Sequence, residues 1–237
     1  MRETRFIMGM PVIAESTKGP LEDIFEFLRQ IDERFSPFKE TSEVSRFNAG
    51  LLSENDLSAD VRYVLAQCER TKQETDGYFD CYHKGKFDPS GYVKGWAIQR
   101  AADMLAPYGS YYMEIAGDLQ VGGTKDGQPW AIGVRNPFNA TEIVKRVALS
   151  DAGIATSGTA ARGQHIYNPH AEGPINEIVS LSVIAPKIVD ADRFATAAFA
   201  MGRAGIEFIA RQPGLEGYMI ESEGIATFTP GFNAYVI

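Results

Sequence analysis

The sequence is short of cysteine, of basic residues and of long apolar runs, and each shortage excludes a class of protein. Its 237 residues include two cysteines, Cys68 and Cys81, so free thiols are expected rather than a disulfide framework. Lys and Arg total 23 against 31 Asp and Glu, a net charge of −8. Nucleic acid is therefore not expected as a partner, because phosphate backbones are bound by an excess of basic residues. A polyanionic ligand would need local neutralisation by a metal ion or a helix terminus.

Targeting signals and two common site motifs are also missing. No apolar run approaches the roughly 20 residues of a transmembrane helix, and residues 1–5 show neither a signal-peptide pattern nor a lipobox cysteine. A cytoplasmic protein is therefore expected. Gly-x-Gly-x-x-Gly and Gly-x-Ser-x-Gly are both absent, which disfavours a Rossmann dinucleotide site and a nucleophile elbow.

The apolar spacing predicts an α+β fold in one compact unit without repeats or linkers. One kinked strand is predicted over 6–15, a strand-rich stretch over 111–185, and closing strands over 217–221 and 225–229. Helices are predicted at 21–35, 61–76, 88–105, 190–201 and 205–211. Because helices precede and follow the strand-rich stretch, α+β is favoured over a doubly wound sheet.

The strongest local signal is the segment from Lys86 to Gly95. Asp88 is a favourable N-cap and the proline after it suits the first helical position, so a helix is predicted to begin there. Its first turn would offer unpaired N–H groups, and Lys94 adds a positive charge about one turn further on. This arrangement suits a phosphate; the alternative is a capped helix with a solvated lysine.

Two further signals involve a possible metal site and a possible base. Asp192 and Thr196 are four residues apart, so on a helix they share a face and offer the hard oxygen ligands that Mg²⁺ prefers. Asp192 near a helix start is alternatively a cap or dipole partner. The stretch 154–169 combines hydroxyls, glycines and an arginine, which suits an anion-binding loop. Within it, His165 is either a general base or a structural histidine.

Taken together, these segments resemble the ApbE family, in order along nearly the whole chain. The matching segments are Met8-Gly9-Met10, Phe35-Ser36-Pro37-Phe38, 42–48, Asp76-Gly77-Tyr78-Phe79-Asp80, 88–95, Ala116-Gly117-Asp118, Pro129-Trp130, Thr156-Ser157-Gly158, 165–169, and Ala191-Asp192 with Ala195-Thr196. The resemblance implies a single ApbE-like (T-fold-like) FAD-binding transferase domain over 1–237. Its expected architecture is an antiparallel or mixed sheet flanked by helices.

The resemblance also implies a function. Members of this family bind FAD, and many transfer its FMN half to a threonine hydroxyl of a target flavoprotein with release of AMP. It implies Mg²⁺ as cofactor, held by the side chains of Asp192 and Thr196 and the backbone carbonyl of Gly91, and His165 as the base that deprotonates the attacking hydroxyl. The implied FAD contacts are Met8, Phe38, Tyr78, Phe79, Asp80, Asp88, Lys94 and Ile166. An FAD pyrophosphatase, with water as acceptor, and a non-catalytic FAD-binding protein are the alternatives.

Overall fold

The structure, a computed structural model, describes residues 1–159, 166–171 and 173–237. Within these residues the chain forms six α-helices and twelve strands. The helices are α1 (Leu21–Phe35), α2 (Glu43–Asn48), α3 (Ala59–Glu74), α4 (Ser90–Leu105), α5 (Ile188–Ala200) and α6 (Gly205–Ala210). The strands are β1 (Arg2–Ile7), β2 (Met10–Ser16), β3 (Tyr82–His83), β4 (Lys86–Phe87), β5 (Tyr111–Ile115), β6 (Asp118–Gly122), β7 (Trp130–Asn136), β8 (Asn139–Leu149), β9 (Ala152–Gly158), β10 (Ile178–Ala185), β11 (Glu216–Glu221) and β12 (Ala226–Phe228).

Among the described strands, eight form one sheet in the order β1-β2-β5-β6-β9-β10-β11-β12, and every neighbouring pair in it is antiparallel. The remaining four form two hairpins, β3–β4 and β7–β8. The single sheet with its helices confirms the predicted α+β class. None of the helices in the described ranges has the length and apolar character that crossing a bilayer requires.

The two faces of the sheet are covered by different elements. In β5, Tyr111 and Met113 belong to the core beneath the helices, whereas Tyr112 between them packs under the β7–β8 hairpin. Helices α4 and α5 lie against β5, β6, β9 and β10, while Trp130 and Ile132 of β7 pack on the opposite face. The period-two alternation of strand side chains therefore builds a core on each side of the sheet.

The N-terminal segment corrects one prediction. The sequence predicts a single kinked strand over 6–15, but β1 and β2 form a hairpin in which Ile7 opposes Met10. The two turn residues, Met8 and Gly9, have φ angles of 57° and 69°, as a two-residue type I′ turn requires. The apolar pattern misses this turn because methionine rarely adopts a positive φ.

The start of α4 corrects a second prediction. The sequence predicts Asp88 as the N-cap, but the helix begins at Ser90 with Pro89 in the cap position. The Asp88 carboxylate accepts a hydrogen bond of 3.0 Å from the Ser90 N–H, so it closes the turn that leads into the helix.

Helix α2, which the apolar spacing does not predict, is only six residues long and is capped by the Ser42 hydroxyl.

Candidate functional site

A cavity of about 1230 Å³ is lined by the start of α4, by α5 and by the β7–β8 hairpin. Nine residues predicted from the sequence lie in its lining: Tyr78, Phe79, Asp80, Asp88, Gly91, Lys94, Ile166, Asp192 and Thr196. These residues come from four separate stretches of chain. The fold therefore gathers most of the predicted site around one space.

The other three predicted site residues, Met8, Phe38 and His165, are not among the described residues that line the cavity. Met8 lies at the β1–β2 turn and packs partly buried against the core beneath the helices. Phe38 is 94% exposed. Neither is among the residues that line the cavity, and their contact with FAD stays a prediction. His165 belongs to the segment 160–165, which lies outside the described residues, so its role as a base also stays a prediction.

Helices α4 and α5 meet closely where the predicted metal ligands lie. The Gly95 N–H donates a hydrogen bond of 2.7 Å to Oδ2 of Asp192, whose residue exposure is 3%. One turn earlier on α4, a Cβ atom placed on Gly91 would lie 3.7 Å from the Cγ2 atom of Thr196. Gly91, Asp192 and Thr196 are therefore grouped at one helix crossing, as their proposed role requires.

Gly95 is needed for this crossing, and this gives a first prediction. A Cβ atom at Gly95 would lie 2.7 Å from Asp192 Cβ and 3.1 Å from the Val189 Cα atom, so the helices would have to separate. We expect Gly95→Ala to lower the free energy of unfolding by about 1–3 kcal/mol, measured by urea denaturation.

Gly91→Ala is the matched control on the same helix. Its Cβ would meet Phe79 at 3.4 Å and Thr196 at 3.7 Å, which are ordinary contact distances. Alanine favours a helix over glycine by roughly 0.5–1 kcal/mol, so this variant should be as stable as the wild type or more stable. Equal losses in both variants would show that the close packing at Gly95 is not the cause.

Lys94 connects two buried carboxylates. Its Nζ atom pairs with Asp118 Oδ2 and lies 3.4 Å from Asp192 Oδ1. The other oxygen of Asp118 accepts a hydrogen bond of 2.8 Å from the Thr156 N–H on β9. Asp118 therefore fixes the lysine beside Asp192 and ties both to the sheet.

Reasoning from the sequence did not assign a role to Asp118, although it noted the Ala116-Gly117-Asp118 motif. The signal lies in the turn: Ala116 and Gly117 have φ angles of 52° and 97°, which reverse the chain between β5 and β6. This turn places Asp118 at the first position of β6, next to β9. A short turn followed directly by a strand that begins with a carboxylate is the sequence pattern that could have identified Asp118.

Burial dominates the electrostatics of Asp192. It raises the pKa of this carboxyl from 3.8 to about 7, the nearby Asp118 charge adds to the rise, and the Lys94 ammonium opposes it. A raised pKa means that the folded protein holds a proton that the unfolded chain has released. Protonation of Asp192 therefore stabilises the folded state below pH 7 when no cation is bound.

This shift gives a second prediction. Because folding raises the pKa, the contribution of Asp192 to stability is present at pH 4 and is lost as the pH rises to about 7. We expect the free energy of unfolding of the metal-free protein to fall over this range, and Asp192→Asn to make the fall shallower. Chemical denaturation at several pH values in EDTA measures both. An Asp192→Asn profile parallel to that of the wild type would contradict the assignment.

The donor set fits a hard cation. In the part of the chain that the structure describes, no group of three His, Cys, Asp or Glu side chains could hold a metal ion. Asp192, Thr196 and Gly91 offer oxygens instead, and Mg²⁺ commonly uses few protein oxygens together with water and phosphate. The residues present therefore fit a magnesium ion shared with a phosphate-bearing ligand.

Aromatic side chains line another part of the cavity, and neighbouring groups hold them in place. The Tyr78 ring lies 4.5 Å from the His170 ring in an edge arrangement, and His170 Nε2 is 2.8 Å from the Asp76 carbonyl oxygen. Asp80 pairs with Lys72 at 2.8 Å. A planar ring bound here would meet a preformed aromatic wall.

Comparisons with known proteins agree with this architecture. The ApbE family model matches residues 8–85 and 81–219. An FAD:protein FMN transferase of Klebsiella pneumoniae is 28% identical over 166 residues, which cover 63% of this chain and 47% of the relative. Its counterpart in Haemophilus influenzae is 24% identical over 276 residues, covering 88% of this chain and 80% of the relative. The crystal structure of the ApbE protein from Thermotoga maritima has a TM-score of 0.86 at 21% identity, covering 99% of this chain and 98% of that one.

The antiparallel sheet, its two covered faces and the cavity at α4 and α5 define an α+β protein with the fold of the Thermotoga maritima structure. With the family match extending over most of its length, the chain belongs to the ApbE family. It spans about half the length of the Klebsiella pneumoniae relative.

Proposed function

We propose that the chain is an FAD:protein FMN transferase, which moves the FMN half of FAD to a threonine hydroxyl of a target flavoprotein and releases AMP. The observation that carries the proposal is the group formed by Lys94, Asp192 and Thr196 beside the amino end of α4, inside a large cavity. Relatives of similar sequence carry the name FAD:protein FMN transferase. Their name supports the choice of substrate.

The chain's own residues would bind and orient FAD. The pyrophosphate would rest at the amino end of α4, where first-turn N–H groups and the helix dipole attract anions. Lys94 supplies a full positive charge in a wall that is otherwise acidic because of Asp118 and Asp192. The isoalloxazine ring would lie against the Tyr78 ring in the cavity wall.

Asp192, Thr196 and the carbonyl of Gly91 would hold Mg²⁺. When bound, this ion neutralises charge on the pyrophosphate and improves AMP as a leaving group. Lys94 has a second task, because its ammonium opposes the rise in the pKa of Asp192 that burial causes. The lysine and the metal ion thus share one carboxylate.

The transfer is a substitution at a phosphorus atom of FAD. The threonine oxygen bonds to the phosphorus of the FMN half, and the bond between that phosphorus and the bridging oxygen breaks, so AMP leaves with that oxygen. The hydroxyl proton passes to a base, for which His165 is the candidate. The product is a phosphoester of threonine and FMN.

A product assay tests this proposal. The protein is mixed with FAD and Mg²⁺, with and without a threonine-bearing acceptor protein, and AMP, free FMN and protein-bound flavin are measured. AMP together with flavin retained on the acceptor after denaturation is the expected result. AMP with free FMN would make the protein an FAD pyrophosphatase, and no AMP under any condition would leave a flavin-binding module.

A further inference from the structure

Strand β7 has an open edge that faces the cavity. Every residue from 129 to 137 lines the cavity, as expected when a strand presents its edge and both its faces. β7 pairs along one edge with β8, and among the described residues no strand pairs with its other edge. The cavity therefore borders a row of main-chain groups as well as side chains.

The direction of these groups follows from the pairing of β8. The Ile237 N–H donates a hydrogen bond of 3.1 Å to the Arg146 carbonyl, so the main-chain groups of Arg146 point away from β7. In an antiparallel pair, opposed residues both point inward or both point outward. Gly133 opposes Arg146, and its N–H and C=O therefore point to the open edge. The same holds for Ala131, two residues earlier.

Small side chains leave this edge accessible. Ala131 and Gly133 are exposed, whereas Trp130, Ile132 and Val134 are buried against the sheet. The outer edge of β8 is covered instead, since Val147 bridges to Val236 near the C-terminus. Proteins usually protect unpaired edges. An edge left open inside a cavity is therefore suited to receive another strand.

Two more observations indicate a polypeptide as the occupant. The cavity has a volume of about 1230 Å³, above the roughly 300–1,000 Å³ of a typical small-molecule pocket. Phe138 at the hairpin tip is 58% exposed, and Ile143 of β8, which also lines the cavity, is 46% exposed. Both apolar side chains are available to contact a bound polypeptide.

We propose that β7 docks an extended segment of the acceptor polypeptide as an added strand, with Phe138 and Ile143 contacting the acceptor beyond that segment. The inference rests on the transferase function proposed above. The main-chain groups of Ala131 and Gly133 bind the segment, so its hydroxyl-bearing residue reaches the flavin pyrophosphate within the same cavity. In strand addition the main-chain hydrogen bonds give affinity, and pockets for alternate side chains give specificity.

The test uses the full chain with FAD, Mg²⁺ and a pool of random peptides about ten residues long with a central threonine. Ala131→Pro removes an N–H that points to the open edge and breaks no hydrogen bond to β8. Edge strands accept proline at such positions. It should raise the KM for peptide labelling about tenfold, as expected for one lost hydrogen bond and poorer fit. The FAD affinity, measured by flavin fluorescence, should stay the same. Ala131→Val, which keeps the N–H, is the matched control.

A second variant guards against misfolding of the first. Phe138→Ser at the exposed hairpin tip should slow labelling of a folded acceptor protein but not of short peptides, whereas Ile225→Ser, at another exposed apolar residue, should change neither. Unchanged peptide labelling by Ala131→Pro would overturn the docking proposal, as would a wild type that labels a folded acceptor protein but no peptide. A wild type that neither binds FAD nor forms AMP would instead refute the transferase function.

Discussion

Replacing Asp192 with asparagine should reduce metal-dependent AMP release by about 100-fold or more, since losing the cation from the pyrophosphate removes several kcal/mol of transition-state stabilisation. Asparagine keeps the shape of the side chain and an oxygen that accepts the hydrogen bond from the Gly95 N–H. The fold should therefore persist. The loss would be measured as the initial rate of AMP formation at saturating Mg²⁺, with circular dichroism to verify folding.

Asp190→Asn is the matched control on the same helix. Asp190 is half-buried and pairs with Arg193 rather than with groups of the cavity, so its neutralisation should leave AMP release within about twofold of the wild type, the scale of a surface pair. Full activity in Asp192→Asn would show that the acid at the helix crossing does not hold the metal ion. Equal losses in both variants would point to damage of α5 instead.

Lys94→Met should have the largest effect on stability. The substitution leaves the Asp118 and Asp192 side chains, which are 3% and 4% exposed, without their shared cation. Removing one partner of a buried ion pair commonly costs about 3–5 kcal/mol, and we expect a loss of this size near pH 8 in urea denaturation. The loss should be smaller at pH 5, where Asp192 is protonated.

Lys39→Met provides the comparison for Lys94→Met. Lys39 pairs with Asp32 and Glu33 at the surface, so its loss should cost about 1 kcal/mol or less. Adding Asp118→Asn to Lys94→Met should restore part of the stability, because it removes one of the two unpaired charges. A Lys94→Met protein as stable as Lys39→Met at pH 8 would contradict the buried network.

Local patterns predict the parts of the site that depend on neighbours in sequence. The helix after Asp88 and the pair Asp192 and Thr196 follow from capping preference and helical spacing, and the structure places them on α4 and α5. Met8 shows the limit of such patterns. Its positive φ is imposed by the hairpin pairing of β1 with β2. Gly9 is the local signal for a turn, but a single glycine in an apolar stretch also fits the kink that the sequence predicts.

Features that depend on register between distant strands could not be predicted. Asp118 becomes a partner of Lys94 only because β6 lies beside β9 and beneath α4. Likewise, the outward direction of the Gly133 main chain depends on its pairing with Arg146 and on the contact of Ile237 with β8. Such pairings join residues up to about a hundred positions apart, where apolar periodicity carries no information.

A divalent cation between α5 and the flavin pyrophosphate is the centre of the proposed site, and anomalous diffraction from a crystal containing FAD and Mn²⁺ tests its position most directly. A peak within coordination distance of the Asp192 carboxylate, the Thr196 hydroxyl and a pyrophosphate oxygen is the predicted result. A peak elsewhere, or a pyrophosphate bound away from the amino end of α4, would contradict the account.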